Sequence, residues 1–306
     1  MSIPRDHHYL PKFYLDRWTV NGQVFRYDRK APEGRLRCKW LAPSAIAYER
    51  DLYRLPDVAD LAESQRLESE FFQRIDDKAA VALQKLDQGI HGGQEDRVAL
   101  AQFMVSLLHR SPSRLKAIRE ELAERTDGAP YENLTGRDLE VSLKATANRL
   151  LAMLVENADA ASVVGKFKIY KVDVSASTRK LLTSDRPITL SAQLVSPDAF
   201  MILPYAPDRL VILTHSPAIA NAFSSQNATV LVKGINQAVV EQSIDVVIAA
   251  DEKATLMVDR LLLRPQPGRQ LDSIGLIRRR SPYIDLHPQV RVFSRRDKAG
   301  MRYLGN

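Results

Sequence analysis

The sequence is poor in the residues that disulfide scaffolds and phosphate loops need. Its one cysteine, Cys38, excludes an internal disulfide and a cysteine-rich zinc site. That usage fits a reducing cytoplasm. Thirteen glycines in 306 residues leave no glycine-rich phosphate cradle. G-x-x-x-x-G-K-[ST], G-x-G-x-x-G, H-E-x-x-H and G-x-S-x-G are all missing. This argues against P-loop ATPases, Rossmann dehydrogenases and ordinary α/β-hydrolases. Charge interrupts every apolar run well short of the roughly 20 residues that a membrane span requires. No apolar segment follows Arg5 to make a signal peptide. The expected setting is the cytoplasm, with no membrane partner.

What is present is an ordinary globular composition, 45% hydrophobic and 26% charged. The net charge of +7 is carried entirely by residues 264–306, with ten Lys+Arg against three Asp. The preceding residues are balanced. The expected organisation is a single α+β domain over residues 1–263 and a basic C-terminal segment over 264–306. That segment suits a polyanion such as nucleic acid, or an acidic protein partner. A solvated basic tail is the simpler alternative.

Three zones follow one another along the chain. Residues 1 to about 56 read as extended, with a β-hairpin in WTVNGQVFRY around Asn21-Gly22. Residues 60 to 160 read as a helical block. Leu61, Leu67, Phe71, Ile75, Ala79 and Leu83 recur near i, i+4, and Gly89 stops the helix. Pro112 predicts a kink or break near Arg110-Ser111. From about residue 165 the pattern turns to strands, with a helix-like stretch in TVLVKGINQAVVEQSID. The predicted fold is α+β: a mixed sheet built from the N- and C-terminal parts, with the helical block inserted between them.

Four stretches could carry chemistry. HHYLPK offers His8 as a general base or metal ligand and Lys12 as a phosphate contact. In LESEFFQRIDDK, Glu68, Phe72 and Asp76 fall on one side at i, i+4, i+8, while Glu70 points elsewhere. Such a carboxylate stripe binds a metal or steadies a cation if buried, and is an ordinary solvated face if not. LLHRSPSRLK sets Arg110 at a helix break, where it can reach an anion. LLTSDRPITL delivers Thr183, Ser184 and Asp185 to a strand end between apolar runs.

Taken together, HHYLPKFYLDRW, APSAIAYERDLYRL, FFQRIDDKAA, LLHRSPSR, LLTSDRPITL, MILPYAPDRLVIL and INQAVVEQSIDVVIAAD, in this order, resemble the prokaryotic family catalogued as domain of unknown function 4238. The likeness spans roughly residues 7 to 251. Its specific part is the pairing of His-x-x-Pro with Thr-Ser-Asp-x-Pro. The family pattern falls on His8, Pro11, Leu15, Tyr53, Arg110, Pro112, Thr183, Ser184, Asp185, Pro187, Pro204 and Asn236. Tyr205 and Arg186 depart from it. Members look like components of bacterial conflict systems, so the resemblance implies an effector acting on nucleotides or nucleic acid.

The polar residues of these blocks would suit a nucleotide if they converge. His8, Asp185 and Ser184 are the expected catalytic group. Arg110, Asn236, Lys12 and Thr183 are the expected substrate contacts. Arg110 and Lys12 would hold phosphate. Asp185 would meet ribose or the charge developing at an anomeric carbon. Asn236 would orient ribose or a water, and His8 would deprotonate that water. The first expectation is cleavage of the nicotinamide–ribose bond of NAD, with NAD as substrate, no cofactor and an activating protein partner. The second is a nuclease in which His8, Asp185 and Asp76 hold a divalent metal. The third is a non-catalytic sensor or assembly subunit.

Overall fold

The computed structural model describes residues 5–29, 36–90, 92–125, 134–156, 167–191 and 199–262, with the backbone of 285–287 and 290–291. The rest of the basic segment lies outside the described residues, and so does any reading of what it binds.

The opening stretch folds back on itself. Strand β1 (Asp6–His8) pairs antiparallel with β4 (Tyr48–Arg50), setting His8 opposite Tyr48. Pro11 then caps a short helix, α1 (Lys12–Asp16). Leu10, Tyr14, Leu15 and Trp18 sit at helical spacing, and none is more than 1% exposed. Asn21 and Gly22 both take positive φ, 51° and 75°, as a tight hairpin turn demands. Only the Val20–Gln23 bridge flanks that turn, because the residues before it belong to the end of α1. The predicted hairpin is therefore a turn with a single rung.

Strand β2 (Val24–Arg29) pairs instead with β3 (Leu36–Leu41) and β10 (Val246–Ala249), and β10 pairs with β6 (Thr183–Ser184). The sheet order β3-β2-β10-β6 joins the two ends of the chain, as predicted. A second sheet has the order β5-β9-β8-β7, formed by β5 (Lys168–Asp173), β7 (Thr189–Leu190), β8 (Phe200–Ala206) and β9 (Arg209–Thr214). The fold is α+β. Every ladder among the described residues is antiparallel, so two four-stranded antiparallel sheets, with two small two-stranded pairs, stand where one mixed sheet was expected. The tight turn at Pro207-Asp208 permits only that pairing between β8 and β9. Pro204, which has no N–H to give, sits at an irregularity in the β8–β9 register.

The helical block is α2 (Leu61–Ser64), α3 (Gln73–Asp87), α4 (Gln94–His109), α5 (Pro112–Arg125) and α6 (Gly136–Glu156). Gly89, at φ 75°, ends α3, and the break before Pro112 falls at Arg110-Ser111. Between α2 and α3 the chain widens into a π-helical turn, Leu67–Phe72. The extra residue in that turn brings two adjacent aromatics, Phe71 and Phe72, into the core together. Leu61, in the separate short helix α2, is left 47% exposed.

Asp87 ties this block to α1 and to the second sheet. It accepts from Arg17 at 2.6 Å, from Tyr205 at 3.2 Å and from Arg209. Tyr205, a departure from the family pattern, thus serves an ion cluster, with Arg17 over its ring at 5.4 Å. Helices α7 (Pro217–Ser224), α8 (Ala228–Gln242) and α9 (Thr255–Leu262) follow. Helix α7 packs on β5 and β9, and α8 packs on β6 and β7.

Candidate active site

Arg110 terminates α4 and is fully buried. A buried guanidinium needs partners on most of its five N–H groups. Its Nε donates to the carbonyl of Tyr9 at 2.9 Å, and its Nη1 donates to Asp76 Oδ1 at 2.9 Å. The rings of Phe72 and Phe103 lie 5.6 and 5.7 Å from its centre. Tyr53 donates its hydroxyl to the Arg110 carbonyl at 2.7 Å. Its Nη2, though buried, has no hydrogen-bond partner among the described residues.

Two carboxyls share this single cation. Asp76 on α3 and Glu68 on the π-helical turn lie on one side of the chain, as the spacing predicts. Glu70 points away and pairs with Arg66 at 3.1 Å. The stripe is not a solvated face. Burial pushes the Glu68 carboxyl up to about 7; Arg110 opposes this, the Asp76 charge adds to it, and the backbone N–H of His8 opposes it. Burial likewise raises Asp76 to about 6 against the pull of Arg110. Glu68 Oε2 is buried and unpartnered among the described residues.

His8 completes the group. Its Nε2 is buried and also lacks a partner among the described residues. Burial holds its pKa below the usual imidazole value; the backbone of Ser44 pulls it up and Arg110 pushes it down. The imidazole therefore stays neutral near pH 7. Its ring lies 5.6 Å from Tyr48, which is 41% exposed. His8, Tyr9, Glu68 and Asp76 are all half-buried, so the cluster reaches the surface beside a fully buried arginine. His7 is different: it accepts from the Tyr53 N–H at 3.0 Å and stacks on that ring.

The Thr-Ser-Asp-x-Pro block is buried and not a solvent-facing loop. The Tyr14 hydroxyl donates to the Pro204 carbonyl and lies 2.6 Å from Thr183 Oγ1, which must therefore be the donor in that pair. Ser184 accepts from the Arg186 N–H at 3.1 Å. Asp185 accepts the Ile244 N–H with both oxygens, at 3.1 and 3.2 Å, and the Asp245 N–H at 2.9 Å. Burial still raises its pKa to about 6. Asn236 receives Leu182 N–H and donates to Lys180 C=O, both at 2.9 Å. Lys12 is exposed and pairs with Asp16 at 3.0 Å.

His8 and Arg110 are thus brought together with Glu68 and Asp76. Thr183, Ser184, Asp185 and Asn236 form a neighbouring set that anchors β6 to α8 and β10. Tyr9 joins the two: its carbonyl holds Arg110, and its phenol lies in the fields of Asp185, Arg26, Asp245 and Asp28. The sequence reading did not put Tyr9, Tyr53 or Glu68 among the site residues. The legible signal for Glu68 was its place on the Phe72–Asp76 side of the chain.

A family model described as a protein of unknown function, DUF4238, matches residues 6–253. The chain belongs to the DUF4238 family. Neither the curated proteins nor the solved structures provide a match. The DUF4238 match takes in every residue of the cluster and stops before the basic segment. Among the described residues no group of three or more His, Cys, Asp or Glu is arranged to hold a metal. No helix among them is long and apolar enough to cross a membrane.

Proposed function

We propose that this DUF4238 protein is a cytoplasmic, nucleotide-processing effector of a bacterial conflict system that cleaves the nicotinamide–ribose bond of NAD, with Glu68 as its working carboxyl. The observation that carries this is the gathering of His8, Glu68 and Arg110, each with an unpartnered buried atom, at an edge open to solvent. Clustered groups with displaced pKa values, partly open to solvent, make a candidate site of chemistry.

The reaction asks little of an acid. Nicotinamide leaves as a neutral base, taking the electron pair of the C–N bond. Positive charge develops at the anomeric carbon, where a nearby carboxylate stabilises it. Water then adds to that carbon, and its proton passes to Glu68. Neutral His8 accepts a hydrogen bond from that water or from a ribose hydroxyl. A carboxyl near 7 is matched to this task at cellular pH. A protein that destroys a central metabolite must be restrained until needed, so an activating protein partner belongs to the proposal.

The test is chromatographic. Purified full-length protein is incubated with NAD, and cellular NAD is followed after its induction in bacteria. Release of nicotinamide and ADP-ribose supports the reading. NAD left intact in both settings, even with the proteins encoded beside it supplied, overturns it.

A further inference from the structure

The cluster holds one buried cation and two carboxyls, and the geometry treats the carboxyls differently. Asp76 is bonded directly to Arg110 at 2.9 Å. Glu68 has no bond to the guanidinium, and its Oε2 is unpartnered among the described residues. Arg110 and Asp76 therefore neutralise each other. A second buried negative charge would stand without a cation bonded to it, which is costly in a dry setting.

We infer that Arg110 is a positioning residue and not a substrate contact: fixed by the Tyr9 carbonyl and by Asp76, and set between Phe72 and Phe103, it keeps Asp76 ionised and leaves Glu68 as the carboxyl that exchanges a proton. Burial raises both carboxyls and Arg110 opposes the rise at each, but only Asp76 is bonded to the guanidinium. The groups facing this pair are Arg110, Asp77, His8 through its backbone N–H, and the neutral phenol of Tyr53. Removing the Asp76 charge takes a like charge away from Glu68 and frees Arg110 to face it. Both changes lower the midpoint of Glu68. Removing the Arg110 charge raises it.

This inference rests on the site assignment above, and its test is read without any substrate. Side-chain carboxyl NMR titrates Glu68 in the full-length protein, in Asp76→Asn, and in Arg110→Lys and Arg110→Met. The expected midpoint lies near 7 in the parent and falls by at least one unit in Asp76→Asn. It rises in Arg110→Met and stays closer to the parent in Arg110→Lys. A Glu68 midpoint that does not fall in Asp76→Asn overturns the inference, even if both arginine variants fail to fold. If the midpoint moves as expected but NAD is never cleaved, the positioning role stands and the proposed reaction falls.

Discussion

The guanidinium of Arg110 donates to the main-chain carbonyl of Tyr9, 101 residues earlier, at 2.9 Å. That one bond joins two short and distant stretches. HHYLP supplies the carbonyl and LLHRSP supplies the cation. The phenol of the same tyrosine faces Asp185 in LLTSDRP. The site hangs on main-chain geometry at Tyr9 as much as on any side chain.

Asn236→Ala is expected to destabilise the fold. It removes the acceptor for the buried Leu182 N–H and the donor for the Lys180 carbonyl. Losing both costs about 2–6 kcal/mol, since each orphaned buried group costs roughly 1–3 kcal/mol. The urea midpoint should fall with the slope unchanged.

Tyr14→Phe leaves the Pro204 carbonyl and the Thr183 hydroxyl without their buried partner. The expected cost is about 1–3 kcal/mol. Combining it with Thr183→Val should cost less than the sum of the two single changes, because the second change removes a group the first has orphaned. A double-mutant cycle in denaturant reads this directly.

Glu68→Gln should stabilise the protein above neutral pH and not at pH 4. The folded-state pKa of Glu68, about 7, lies above its unfolded value, so the folded state binds the extra proton. Stability from this group is then fully present at low pH and is lost as pH rises from about 4.3 through 7. Glutamine cannot ionise and escapes that loss. Thermal melts should cross, with the variant a few degrees above the parent at pH 8.

Much of this was readable from residue order, and the failures have physical causes. The helical block and its break at Pro112 followed from period and from proline sterics. The α+β class followed from where the strands cluster. The N-terminal zone is extended in β1, β2, β3 and β4, as its alternation predicts, but the short helix at Lys12–Asp16 was passed over. Yet Leu10, Tyr14 and Trp18 at i, i+4, i+8 already spelled a helical face. The pairing of the strands was not legible, since alternation sets which face is buried and not which neighbour a strand meets. Asp185 looked like a loop carboxylate, as any Ser-Asp-x-Pro does. Only its three bonds from the Ile244 and Asp245 N–H groups reveal an anchor. Glu68 was visible as one of a carboxylate stripe. Its burial depends on a π-helical turn that no periodicity announced.

The most direct test of the central claim is the pH–rate profile of nicotinamide release from NAD, taken for the parent and for Glu68→Gln. The account predicts that kcat of the parent rises with pH through a midpoint near 7, as Glu68 ionises. In Glu68→Gln, kcat should drop by at least ~100-fold, the usual scale of a lost acid–base group, and that limb should vanish. A Glu68→Gln protein that releases nicotinamide at the parent rate, with the same limb, would contradict it.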